Sequence, residues 1–152
     1  MYRLYALPAY YLTLVLFALF GLALSLAGLV PAGLSSTPRV ERRFQRAIHR
    51  LFRLFVWWGR VSHLMAVRYE NFPCATRGAC VLVANHPALI DITLLLARVP
   101  EALCIFKPAI RRNPVLGAAA RRAGYLANDG GPDRVRQAAA AVAAGNTLII
   151  YP

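Results

Sequence analysis

Charge is missing from the first quarter of this chain. Between Arg3 and Arg39 no residue is ionisable at neutral pH, which excludes an ordinary soluble N-terminal segment. Cysteine is also sparse. Cys74, Cys80 and Cys104 are the only three, and no C-x-x-C pair occurs among them. An odd count without metal-ligand spacing argues against a disulfide framework and against a zinc site. Each cysteine reads as a small buried hydrophobe. Acidic residues number 6 against 18 Lys and Arg, a net charge of +12 carried almost wholly by arginine. Such an excess serves nucleic acid or anionic lipid. No RNA- or DNA-binding motif is visible, so the composition points to lipid headgroups and to no nucleic-acid partner.

What fills the uncharged gap is apolar. AYYLTLVLFALFGLALSLAGLV, residues 9–30, is 22 residues long. At about 1.5 Å per residue, roughly 20 apolar residues cross a hydrocarbon core. Pro8 and Pro31 bracket the run as start and stop signals. The run exceeds the apolar region of a signal peptide, about 7–15 residues, so a retained membrane helix is expected. Its glycines and flanking prolines suit either a spanning helix or one that enters a single leaflet. Seven arginines between Arg39 and Arg60 place the following segment on the cytoplasmic face of a cytoplasmic membrane. That segment, residues 41–65, has Phe44, Ile48, Leu51, Phe52 and Phe55 on one helical face and arginines on the others. It is expected to be a basic amphipathic helix in the membrane interface.

From residue 66 the pattern changes. AVRYENF and ACVLVAN read as strands, the second buried on both faces. PALIDITLLLARV reads as a helix with Pro87 in its first turn, ALCIF as a strand, and NPVLGAAARRAG as a short helix closed by Gly124. PDRVRQAAAAVAAG is a further helix capped by Gly145, and NTLIIYP a last strand. The expected fold class is α/β: an N-terminal membrane-associated helical hairpin over residues 1–65, then a layered α/β domain over 66–152. In parallel sheets, ligands bind beyond the carboxyl ends of the strands. His86 and Lys107 both follow predicted strands.

His86 and Asp91 form an H-x-x-x-x-D pair. On one regular helix five residues separate side chains by about 140°. The two meet only if His86 lies on the strand-to-helix turn and Asp91 in the first helical turns. So placed, the imidazole takes a proton from an attacking hydroxyl, and the carboxylate fixes its tautomer. The bland alternative makes His86 a capping residue and Asp91 a helix-dipole partner. The spacing alone leaves both readings open.

The block NHPALID, Asn85 to Asp91, resembles the N-H-x-x-x-x-D block of the glycerolipid acyltransferase family, the 1-acylglycerol-3-phosphate acyltransferases and their relatives. VRYENFP, Val67 to Pro73, resembles the strand that precedes it there. FKPAIRRNPVLGAAARRAGYLAND resembles the family's second conserved region, with Lys107, Pro114, Gly117 and Gly124 in place. The resemblance covers residues 67–152. It implies His86 as general base, Asp91 as its orienting partner, and a lysophospholipid-type acceptor whose hydroxyl attacks an acyl-CoA or acyl-carrier-protein thioester. No cofactor or metal is implied. Asn85, Lys107, Arg111, Arg112, Asn128 and Asp129 are the expected substrate-binding residues, with Arg121 and Arg122 as further phosphate candidates.

Two departures accompany the resemblance. The family commonly has an arginine in a stretch like F-I-D-R, where this chain has Tyr125-Leu126-Ala127-Asn128-Asp129. This leaves the acceptor headgroup open. The family also continues past a strand like LIIYP into E-G-T-R, while this sequence stops at Pro152. A truncated, poorly active acyltransferase domain is the expectation. A non-catalytic membrane-binding protein and an acyl-thioester hydrolase are the other readings.

Overall fold

Most of the apolar run lies in one helix, α1, spanning Tyr2–Leu29. A computed structural model describes residues 2–29, 37–70, 79–85 and 89–151. Pro8 lies inside α1 rather than ahead of it. A proline this close to a helix start removes a single early hydrogen bond, which the rest of a long apolar helix tolerates. Pro31 lies outside the described residues.

α1 has two distinct faces. Leu7, Tyr11, Val15, Leu19, Leu22, Leu26 and Leu29 form an exposed stripe at three- and four-residue spacing. Roughly opposite, Thr13, Gly21, Ser25 and Gly28 are buried. The small residues let a short helix, α4 (Gly117–Arg122), approach closely. A Cβ on Gly28 would stand 3.1 Å from the Ala118 backbone. The Ser25 hydroxyl accepts from the Ala119 N–H at 3.4 Å. Arg122 Nε donates to the Gly28 carbonyl at 2.9 Å, meeting an unpaired acceptor at the negative end of α1.

α2 spans Pro38–Val61, with Thr37 as N-cap and Pro38 in its first turn. It begins and ends a few residues earlier than the expected 41–65. Much of its apolar face packs inward, while Leu54, Trp57 and Val61 stay exposed. Ile48, Phe52 and Val56 are buried in one core with Leu96, Val99, Ala119, Ala123 and Ile149. Phe17 of α1 stacks on Phe52 with ring centroids 5.8 Å apart. Polar anchors fix the helix: Gln45 Nε2 donates to the Ala123 carbonyl at 2.8 Å, and Trp58 Nε1 donates to the Thr13 hydroxyl at 2.8 Å. Arginines 42, 43, 46, 50 and 53 line the remaining faces, all exposed.

The remaining elements alternate. β1 is Val81–Val83, α3 Leu89–Leu96 and β2 Leu103–Phe106. A 3-10 helix, Pro108–Arg112, precedes α4. Then come β3 (Leu126–Ala127), α5 (Pro132–Ala143) and β4 (Leu148–Ile150). The four strands form one sheet in the order β1-β4-β2-β3. Every pairing is parallel: Leu148 faces Val81 on one side and Leu103 on the other, and Ile105 faces Leu126. The fold is α/β with a small parallel sheet and an N-terminal apolar helix. Gly124 and Gly145 close their helices at φ +72° and +92°, conformations L side chains avoid.

Two expected strands differ. Residues 66–70 form no regular element; Tyr69 instead donates its hydroxyl to the Leu94 carbonyl at 3.0 Å. The rest of that segment, through Pro73, lies outside the described residues. ACVLVAN supplies only three strand residues, and Val81 and Val83 are 47% and 68% exposed rather than buried on both faces. β1 is an edge strand among the described residues, and only Leu82 packs against the core.

Candidate functional site

Parallel pairing brings all four strand C-termini to one edge. Asn85 follows β1, Tyr151 follows β4, Lys107 follows β2 and Asn128 follows β3. Strands lie about 4.8 Å apart, so Asn85 and Lys107, two strands removed, stand about 10 Å apart along this edge. The Ala84 N–H donates to the Ile150 carbonyl at 3.1 Å, and the Asn128 N–H to the Phe106 carbonyl at 2.8 Å. The sheet ladder therefore continues up to the residues that bear polar side chains. Asn85, Lys107 and Asn128 are exposed.

His86 lies outside the described residues, as do Pro87 and Cys74. Asp91 is partly buried in the first turn of α3. Its carboxylate acts on Tyr151: burial pushes the Tyr151 phenol well above its ordinary range, and the negative charges of Cys104 and Asp91 push it further. Asp91, Tyr151, Cys104 and Tyr125 thus form one electrostatic neighbourhood under the sheet edge. Burial pushes the Cys104 thiol up to about 12, and burial likewise raises Tyr125. Cys104 remains a protonated thiol at neutral pH and is no nucleophile. Sequence reading missed Tyr151 as a member of this group. The same rule that selected His86 and Lys107, a polar residue directly after a strand, selects it too.

Beneath the edge lies an apolar cavity of about 70 Å³, lined by residues that include Leu24, Phe52, Ile92, Cys104, Phe106 and Tyr125. Its walls come from α1, α2, α3, β2, the 3-10 helix, α4 and the segment entering β3. Walls this apolar suit an alkyl group better than water.

The expected phosphate contacts divide. Arg111, Arg112 and Arg121 border an open cleft of about 750 Å³ at the 3-10 helix. Arg121 is oriented by donating to the Arg111 carbonyl at 2.6 Å. Arg122 points elsewhere, to the end of α1, and leaves this group. Asp129 accepts from Arg134 through both oxygens, at 2.7 and 3.0 Å, and stands 3.7 Å from Arg111. The hydrogen bond from Arg134 holds the Asp129 carboxyl below the ordinary aspartate range, with the Arg134 and Arg111 charges adding to it. Asp129 therefore partly neutralises Arg111.

Among the described residues no three His, Cys, Asp or Glu side chains come together as for a metal ion. Tyr5–Leu29 is long and apolar enough to cross a membrane. Comparison of the chain with protein-family models, curated proteins and solved structures gives no match.

Proposed function

We propose that the chain is a membrane-associated O-acyltransferase that esterifies a lysophospholipid-type acceptor from acyl-CoA or acyl-carrier protein. The observation that carries the reading is the position of the NHPALID block. Asn85 leaves a parallel strand at its carboxyl end, and Asp91 opens the next helix. His86 belongs to the link between them. The apolar cavity under the sheet edge suits the start of an acyl chain, and the arginines beside Lys107 suit the acceptor phosphate.

In the reaction, one His86 ring nitrogen takes the acceptor hydroxyl proton as the oxygen attacks the thioester carbonyl. Asp91 holds the other ring nitrogen and stabilises the imidazolium. The tetrahedral intermediate collapses, the C–S bond breaks, and the departing thiolate takes the proton back from His86. The products are the ester and free thiol, and no enzyme nucleophile forms a bond.

The test uses the purified protein in mixed micelles with radiolabelled acyl-CoA and a panel of lysolipids. A diacyl product that disappears in His86→Ala, and falls about 10²–10⁴-fold in Asp91→Asn, is the expected result. Product that survives His86→Ala refutes the assigned base. Thiol release without a lipid product identifies a hydrolase instead.

A further inference from the structure

A second cleft lies on the other side of α2 from the cavity. It is an open surface cleft of about 800 Å³, lined by Arg50, Arg53, Arg60 and Arg98, with Trp57 and Tyr69 among its other walls. Arg98 lies over the Tyr69 ring at 5.3 Å from its centroid, which fixes the guanidinium at the cleft wall. No carboxylate lines the cleft among the described residues. The acids nearest in sequence point elsewhere: Glu70 pairs with Arg68 at 3.5 Å and Glu101 with Arg46 at 2.7 Å. Four like charges on one cleft with no carboxylate in its described lining favour an anion, and guanidinium forks match phosphate oxygens.

The cleft neighbours an apolar groove. Leu54 and Trp57 line both it and the seam between α1 and α2, where Leu16, Phe17 and Phe20 form the opposite wall. Trp57 is 59% exposed at the junction. One surface thus offers charge at one end and hydrocarbon at the other, on the side of α1 that faces α2. We propose that this cleft and groove bind one anionic phospholipid of the bilayer, phosphate among the four arginines and an acyl chain along the α1–α2 seam. The cleft meets α3 at its C-terminal end, about 10 Å of helix from Asp91. It is distinct from the sheet edge, and its role is to orient the protein on the membrane. The inference uses the membrane association but not the acyl transfer proposed above, and His86→Ala leaves it intact.

The full chain, in detergent micelles titrated with dioleoyl phosphatidylglycerol or dioleoyl phosphatidylcholine, is examined by native mass spectrometry. One phosphatidylglycerol per chain is retained, in preference to phosphatidylcholine. Arg53→Gln with Arg60→Gln weakens retention about thirtyfold, the product of two arginines acting on an anionic headgroup. Arg42→Gln with Arg43→Gln removes equal charge from the same helix outside the cleft and changes retention little. Should the first pair disturb folding, Arg98→Gln on a separate element still weakens retention. Equal losses in the two double variants would reduce the effect to diffuse charge and overturn the site. So would equal retention of phosphatidylcholine, binding of glycerol phosphate as tight as that of the lipid, or a phosphodiester oligonucleotide displacing the lipid.

Discussion

The Ser25 hydroxyl of the apolar helix donates to the Val115 carbonyl at 2.8 Å, across 90 positions of sequence. This bond, with Gly21 and Gly28 one turn to either side, seats α1 against the α/β domain. Leucine at Gly28 drives its side chain into the Ala118 backbone, which has no flexible end to yield. Gly28→Leu is therefore expected to lower stability by about 1–3 kcal/mol. Ser25→Ala should cost about 1 kcal/mol for the lost bonds. Leu19→Ala, on the exposed stripe, should stay within about 0.5 kcal/mol. Chaotrope unfolding in micelles measures all three, and equal effects for Gly28 and Leu19 would mean that α1 does not dock.

The Cys104 thiol gives an alkaline signature. Its folded pKa, about 12, stands above the ordinary thiol value. Burial of the neutral thiol therefore contributes stability that is fully present below about pH 8.5 and lost as pH rises toward the folded value. Tyr125 and Tyr151 are raised in the same sense and deepen the decline at higher pH. The unfolding midpoint should hold from neutral pH to about pH 8.5 and then fall, and Cys104→Ala should flatten the first part of that fall. Iodoacetamide at pH 8 should leave Cys104 unlabelled until the protein is unfolded; rapid labelling of the native state would contradict the burial.

Asp129 should behave in the opposite sense. Its folded pKa is lowered, so the pairing with Arg134 is fully present above the ordinary aspartate value of about 3.9 and is lost as pH falls through the lowered one. Carboxyl-carbon NMR should place the Asp129 midpoint below that of a free aspartate. Arg134→Gln should bring it back up, and so should high salt, because the pair is exposed. A midpoint indifferent to Arg134 would remove the pairing, and with it the partial neutralisation of Arg111.

Much of this was legible in the letters because it is written in local chemistry. LCIF and LII are short apolar runs closed by turn residues, and α5 lies between Pro132 and Gly145; each forms where composition and punctuation demand it. The sheet-edge positions of Asn85 and Lys107 follow from parallel strands alone, whereas that of Asn128 depends on β3. β3 escaped because two residues, Leu126 and Ala127, carry no pattern. The exposure of Val81 and Val83 escaped because strand order is not a local property: the same apolar run would be buried one place further in. Arg122 resembled its neighbours until α1 supplied the Gly28 carbonyl. The arginine cleft was invisible for the same reason, since Arg98 joins Arg50, Arg53 and Arg60 only once α3 packs on α2.

The strand Leu148–Ile150 is inserted between β1 and β2, which do not pair with each other. During synthesis the ribosome makes both flanking strands long before the one that joins them. At roughly 5–20 residues per second, α1 leaves the tunnel several seconds ahead of Leu148. A nascent chain thus has its apolar helix and both flanking strands outside the ribosome while its half-built sheet still lacks a centre, and the arriving strand supplies the pairings that join them.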